Sequence, residues 1–283
     1  MRPRHVPLPS RGGDMAALDF GPADRPVDIV FSHANGFNAL TYRSILAPLM
    51  ADYRILAIDL RGHGASTLPT VAEGRTDWSD FRDDLVALLA AEISAPVILA
   101  GHSMGGTSSL LAAARAPEAV KSLALFDPVF FDAARAAQIG GTNMLAEGAD
   151  RRRSTFASKA DVVTAYTGRG AFRTWQPEQI ADYVEAGFRE TSDGQVTLTC
   201  ARGWEASNFR THGSDIWTAL GDGRRRIRIL RADIGSTARI DDNLDALRAM
   251  AHVTYETVPD TTHFLPMERP DLVCAVLREM LDA

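Results

Sequence analysis

Cysteine is nearly absent from this chain: Cys200 and Cys274 are the only two in 283 residues. Two cysteines so far apart imply neither a disulfide framework nor a cysteine-based metal site. Basic excess is also lacking, since 30 Lys and Arg against 36 Asp and Glu leave a formal net charge of −6. That balance speaks against wholesale nucleic-acid binding, which depends on neutralising phosphates. No apolar run approaches the roughly 20 residues that cross a bilayer, so no integral membrane segment is expected. The start, Met1-Arg2-Pro3-Arg4, lacks the apolar stretch of a signal peptide, and a cytoplasmic protein is expected. Dinucleotide fingerprints, phosphate-binding glycine loops and metal-ligand clusters are missing too, so the expectation is no cofactor and no metal. The two basic runs, Arg151 to Arg153 and Arg224 to Arg226, read as solvated faces.

What the chain does contain is an alternation. With 46% hydrophobic and 23% charged residues it has the composition of a globular protein able to bury one sizeable core. Short β-branched runs at 27–31, 54–59, 97–100, 122–126, 227–230 and 253–258 read as buried strands, most of them followed within two residues by Gly, Pro or His. They follow a polar leader rich in Pro and Gly. Helical patterns separate them, at Trp78 to Ile93 and in the Ala-rich run after Gly106. Strands alternating with helices predict a doubly wound, mostly parallel α/β sheet. The rhythm breaks between about Asp132 and Gly213, where helix-like pieces lie around 161–166 and 177–189. The expected organisation is a core of residues 1–131 and 214–283 with an inserted helical cap, 132–213, over the carboxyl ends of the strands, where open α/β sheets bind ligands.

One pentapeptide carries chemistry. Gly101-His102-Ser103-Met104-Gly105 matches G-x-S-x-G, with an apolar strand before it and an Ala-rich helix after it. A sharp strand-to-helix turn projects the serine Oγ, and closing that turn requires neighbours without side chains. The start of the following helix leaves N–H groups free, and the Met104 N–H is placed to point at a developing oxyanion.

Together with Ser32-His33-Ala34-Asn35-Gly36-Phe37, Asp59-Leu60-Arg61-Gly62-His63-Gly64 and His263-Phe264-Leu265-Pro266-Met267-Glu268-Arg269-Pro270, this motif resembles the α/β-hydrolase family over most of the chain outside the cap. Where the family usually has His-Gly after its third strand, this chain has His33-Ala34. The resemblance implies an α/β-hydrolase sheet and Ser103 as nucleophile. It implies the Asn35 N–H as a second oxyanion donor and His263, in the loop after the last strand, as general base. His33 and His63 more often stabilise loops in such motifs, and His102 leaves the turn in another direction. The acid departs from the commonest pattern: in Arg231-Ala232-Asp233-Ile234-Gly235-Ser236 a glycine stands where many members carry Asp. Some members place it after the strand that follows the nucleophile, which selects Asp127 here, with Asp233, Asp241 and Asp242 as alternatives.

A serine nucleophile with an oxyanion site suits acyl transfer to water. The leading expectation is therefore a serine hydrolase of carboxylic esters, esterase- or lipase-like, with lactones and lysolipids within its range. A small-molecule ester is the expected partner. C–C hydrolases and cofactor-free haloperoxidases share the same motifs, and a catalytically silent small-ligand-binding protein on the same fold is the alternative of another class. Substrate choice would rest with the cap, where Phe130, Phe131, Phe156, Tyr166, Phe172, Trp175 and Trp204 could line an acyl pocket or serve as ordinary packing.

Overall fold

A computed structural model describes residues 1–131 and 143–282. The expected start of the cap at Asp132 lies outside the described residues. Eight strands form one sheet in the order β1-β2-β4-β3-β5-β6-β10-β11. They are β1 (Arg2–Leu8), β2 (Gly13–Phe20), β3 (Ile29–Ser32), β4 (Ile55–Ile58), β5 (Val97–His102), β6 (Val120–Phe126), β10 (Arg226–Ile234) and β11 (Val253–Thr262). From β4 to β11 all pairings are parallel.

The N-terminal leader departs from the sequence reading. No strand was read in the leader rich in Pro and Gly, yet β1 and β2 form an antiparallel hairpin that pairs on to β4. β1 is the edge strand, where Pro3 and Pro7 are tolerated because the missing N–H need not face a partner. Val6 and Leu8 alternate inward, 1% and 2% exposed, and give the strand its buried face.

The central strands β3 and β5 are buried throughout, as parallel strands covered on both faces must be. Helix α1 (Ser79–Glu92) turns Phe81, Leu85, Leu88 and Leu89 into one apolar layer, and the C-terminal helix α7 (Pro270–Asp282) turns Val273, Val276, Leu277 and Met280 into the other. Helix α2 (Met104–Arg115) starts at the end of β5. The connection from β3 leads to β4 on one side, while β5 and β6 lie on the other. The carboxyl ends of β3 and β5 therefore flank the point where strand order reverses, the natural crevice of an open α/β sheet.

Between β6 and β10 the described chain forms helices α3 (Met144–Arg151), α4 (Lys159–Tyr166), α5 (Pro177–Gly187) and α6 (Arg202–Arg210). It also contains a small antiparallel sheet, β7 (Thr155–Phe156), β9 (Val196–Leu198) and β8 (Phe188–Glu190), which a purely helical cap did not anticipate. Phe156, Val162, Ile180, Tyr183 and Phe188 of this segment join the same apolar cluster as Phe31, Phe126 and Leu277 of the main sheet. The segment between β6 and β10 is thus packed continuously on to the main sheet.

Candidate active site

Ser103 sits at the end of β5 with φ 55° and ψ −124°, a conformation costly for a residue with a side chain. Packing around it enforces the turn. A Cβ on Gly105 would fall 2.3 Å from the Ser32 carbonyl oxygen and 2.5 Å from that of His33, and one on Gly101 would fall 2.6 Å from the Gly105 backbone. Glycine at both positions lets α2 begin directly against the chain leaving β3. The Ser103 N–H donates to the Phe126 carbonyl at the end of β6, 3.0 Å away.

The structure brings three of the sequence candidates together. His263 Nε2 lies 3.0 Å from Ser103 Oγ, and its Nδ1 lies 2.6 Å from Asp127 Oδ2. Asp127 ends β6 with a positive φ of 41° and is fully buried. Its carboxylate accepts from the Ala232 N–H (2.8 Å), the Ser236 hydroxyl (2.5 Å) and the Thr237 N–H (3.0 Å). Burial opposes its ionisation, but hydrogen bonds from His263, Ser236 and Ala232, with the charge of His263, outweigh burial and hold the carboxyl below its usual range. The loop after β10, where the usual acid is missing, supplies the donors for an acid on the neighbouring strand. Sequence reading missed that role of Ser236 and Thr237; the adjacent hydroxyls just beyond Gly235 were the available signal.

The other acidic candidates lie elsewhere. Asp233 is exposed and Asp241 is paired with Arg231 at 2.8 Å; the side chain of Asp242 lies outside the described residues.

Three further histidines hold the surrounding loops. His33 donates from Nδ1 to the Ala34 carbonyl and accepts the Leu60 N–H at Nε2. His63 donates to the Arg61 carbonyl and accepts the Gly36 N–H. His102 accepts the Tyr42 hydroxyl at Nδ1 (2.7 Å) and donates from Nε2 to the carbonyl of His263 (2.7 Å), which fixes the loop carrying that imidazole. His33 and His63 each accept a backbone N–H and so need one bare ring nitrogen, which makes them neutral. Burial, with His63 beside it, drives His33 well down, and burial takes His63 to about 4 and, with help from His263, His102 to about 3.

The two expected oxyanion donors lie in the chain that follows β5 and β3. Met104 is the first residue of α2, where a helix offers its N–H no internal acceptor. In the loop after β3, the Ala34 N–H donates to Tyr42 Oη and the Gly36 N–H to His63, while the Asn35 N–H between them has no partner among the described residues.

The inserted segment lays an aromatic layer beside His263. Phe264 and Phe37 stack at 6.2 Å, and Phe37 meets Trp175 at 5.2 Å and Tyr183 at 5.6 Å. Tyr166 and Phe172 stack at 4.7 Å and continue the layer. Of the aromatic residues picked out in the sequence, Phe156, Tyr166, Phe172 and Trp175 belong here; Phe130 and Trp204 pack in the opposite apolar cluster, and Phe131 packs against that same cluster. Phe37, Tyr183 and Phe264 were missed because single aromatic residues carry no periodic signal.

The basic runs also need correction. Arg151 is exposed, but Arg152 reaches inward to Glu205 (2.8 Å), Tyr166 (3.1 Å) and Tyr183 (3.0 Å), and Arg225 is buried against Asp222. A run of like charge need not share one environment when its neighbours on the strand or turn face opposite ways. Among the described residues no group of three or more His, Cys, Asp or Glu is arranged to hold a metal ion, and no helix is long and apolar enough to cross a membrane.

The model of the alpha/beta hydrolase family matches residues 29–276, and the chain belongs to that family. It is 23% identical over 261 residues to 2-(acetamidomethylene)succinate hydrolase of Mesorhizobium japonicum, covering 90% of this chain and 88% of the relative. The crystal structure of an E-2-(acetamidomethylene)succinate hydrolase superposes with a TM-score of 0.81 at 22% identity, covering 100% of this chain and 99% of the other. Over 99 residues the chain is 35% identical to 3-oxoadipate enol-lactonase 2 of Acinetobacter baylyi, about a third of each (35% and 36%).

Proposed function

We propose that the protein is a serine hydrolase that cleaves carboxylic esters, lactones included, through an acyl-enzyme on Ser103. The observation that carries this reading is the placement of one imidazole between the Ser103 hydroxyl and the Asp127 carboxylate, at 3.0 Å and 2.6 Å. In the proposed reaction His263 Nε2 takes the Ser103 proton as Oγ adds to the substrate carbonyl carbon. Asp127 holds the imidazole with Nε2 toward the serine and stabilises the imidazolium. The N–H groups of Met104 and Asn35 receive the oxyanion. Collapse of the tetrahedral intermediate expels the alkoxide, which takes its proton from His263; water, deprotonated by the same imidazole, then releases the acid.

A relative named as a lactonase and another named as a hydrolase are consistent with acyl transfer to water. The segment between β6 and β10 serves in this reading as a cap whose aromatic layer contacts the acyl chain. An acyl-chain series of aryl esters and lactones, offered to wild type and Ser103→Ala, tests it. Wild type should hydrolyse part of the series and the variant none above about 10⁻³ of that rate; equal turnover by both would refute the assignment.

A further inference from the structure

The side chain of Asn35 is held by the segment between β6 and β10. Its Nδ2 donates to the Glu205 carbonyl on α6 at 3.0 Å, and its Oδ1 accepts from Asn208 Nδ2 on the same helix at 2.9 Å. Asn208, 1% exposed, accepts from Arg75 at its own Oδ1, and its carbonyl takes the Trp78 indole N–H at 3.2 Å. Arg75 is fixed in turn by Asp80 at 3.0 Å and lies 4.1 Å over the Trp204 ring. Every link has one direction, from Arg75 through Asn208 and Asn35 to the Glu205 carbonyl. Next door, a Cβ on Gly36 would fall 2.6 Å from Glu205 Oε1, so α6 rests on the loop itself. The flanking amides of Ala34 and Gly36 are tied to Tyr42 and His63 in the core, which leaves the Asn35 N–H as the one of the three with no acceptor among the described residues.

We propose that Asn208 and the Glu205 carbonyl are positioning groups for the Asn35 N–H, so that α6 of the inserted segment sets the geometry of the oxyanion site. The inference rests on the reading of Ser103 as nucleophile. An oxyanion donor works only when aimed within a few tenths of an ångström, and a one-residue loop between two fixed amides still has freedom about its own φ and ψ. Locking the side chain from both ends of its amide removes that freedom.

Asn208→Asp is the diagnostic change. It keeps the volume and the acceptor for Arg75 but replaces the donor facing Asn35 Oδ1 with an oxygen. Flipping the Asn35 amide to relieve that conflict turns its oxygen on to the Glu205 carbonyl, so one acceptor always faces another. Aryl-ester kinetics, inhibition by a trifluoromethyl ketone, Ser103 labelling by a fluorophosphonate and thermal unfolding would be measured on wild type, Asn208→Asp, Asn35→Ala and the double variant. Each single variant should lose about 10- to 100-fold in kcat, with the ketone weakened by the same factor and KM within about threefold, because only the oxyanion is affected. The double variant should be no slower than the slower single variant, since both act through one N–H. Unchanged kcat and ketone affinity in the single variants, or losses that multiply in the double variant, would overturn the proposal while Ser103 labelling stands. If Asn208→Asp does not fold, Asn35→Ala decides, as its truncation leaves the N–H in place. Wild type that is neither active nor labelled would overturn the nucleophile assignment and the proposal with it.

Discussion

The two sides of the site are built by different physics. On the core side, position is set by backbone turns and saturated polar groups: a strained Ser103, glycines with no room for a Cβ, and an Asp127 carboxylate with donors on both oxygens. On the inserted side, aromatic rings meet at 4.7 to 6.2 Å, the Arg152–Glu205 ion pair is largely buried, and the buried Trp175 indole N–H has no acceptor among the described residues. Hydrogen bonds and turns have one good answer, whereas ring packing tolerates many. In the proposed reaction the reacting groups are therefore held rigidly, and substrate choice would be left to the side that can be repacked.

The largest expected effect lies on the core side. Asp127→Asn should lower aryl-ester kcat by roughly 10⁴-fold, because the amide imposes the wrong imidazole tautomer, while Asp233→Asn should stay within about twofold. Steady-state kinetics on the two variants separates them, and the reverse pattern would move the acid to β10. Next comes the largely buried Arg152–Glu205 pair. Arg152→Met leaves the Glu205 carboxylate without its cation and should cost about 3–5 kcal/mol in denaturant unfolding, with restoration of a large part by the double change Arg152→Met with Glu205→Gln. Gly105→Ala forces a methyl group on to the Ser32 and His33 carbonyls and should cost about 3 kcal/mol or more, read by the same denaturant curves.

Acid should act through the neutral histidines. His33, His63 and His102 have folded-state pKa values below their unfolded value of about 6.5, so between those values the unfolded chain binds more protons. Their contribution is complete above about pH 6.5 and is lost as pH falls toward the folded-state values, by up to about 1.4 kcal/mol per pH unit for each ring. Unfolding midpoints taken from pH 7 down to pH 4 should fall steadily, and a flat profile would mean these rings are not buried neutral. The smallest effect belongs to the tolerant side. Trp175→Phe removes an unpaired buried donor along with some ring volume and should change stability by less than about 1 kcal/mol, while shifting KM along an acyl-chain series more than kcat.

Sequence made the two sides unequally legible for the same reason. The turn at Ser103 was readable because Gly101, Ser103 and Gly105 are demanded by local geometry, and the six strands because β-branched runs between turn residues have few other uses, although the last of them is an edge strand and largely exposed rather than buried. Strand ends moved by one to four residues, since parallel pairing carries β5, β6, β10 and β11 past their apolar stretches. The N-terminal hairpin was hidden by prolines that an edge strand accepts. In the insertion, aromatic contacts and the inward reach of Arg152 depend on which residues distant in sequence become neighbours, and no spacing rule encodes that. Asp127 lies between these cases: its place after β6 was legible, but its support from Ser236 and Thr237 arises only when β6 and β10 pair.

The proposed activation of Ser103 by His263 and Asp127 is open to a direct chemical test. Folded wild-type protein treated with a fluorophosphonate at neutral pH and mapped by peptide mass spectrometry should carry a single adduct on Ser103. Labelling should be slowed by orders of magnitude in Asp127→Asn and lost in Ser103→Ala. A wild type left unmodified, or modified at another residue, would contradict it.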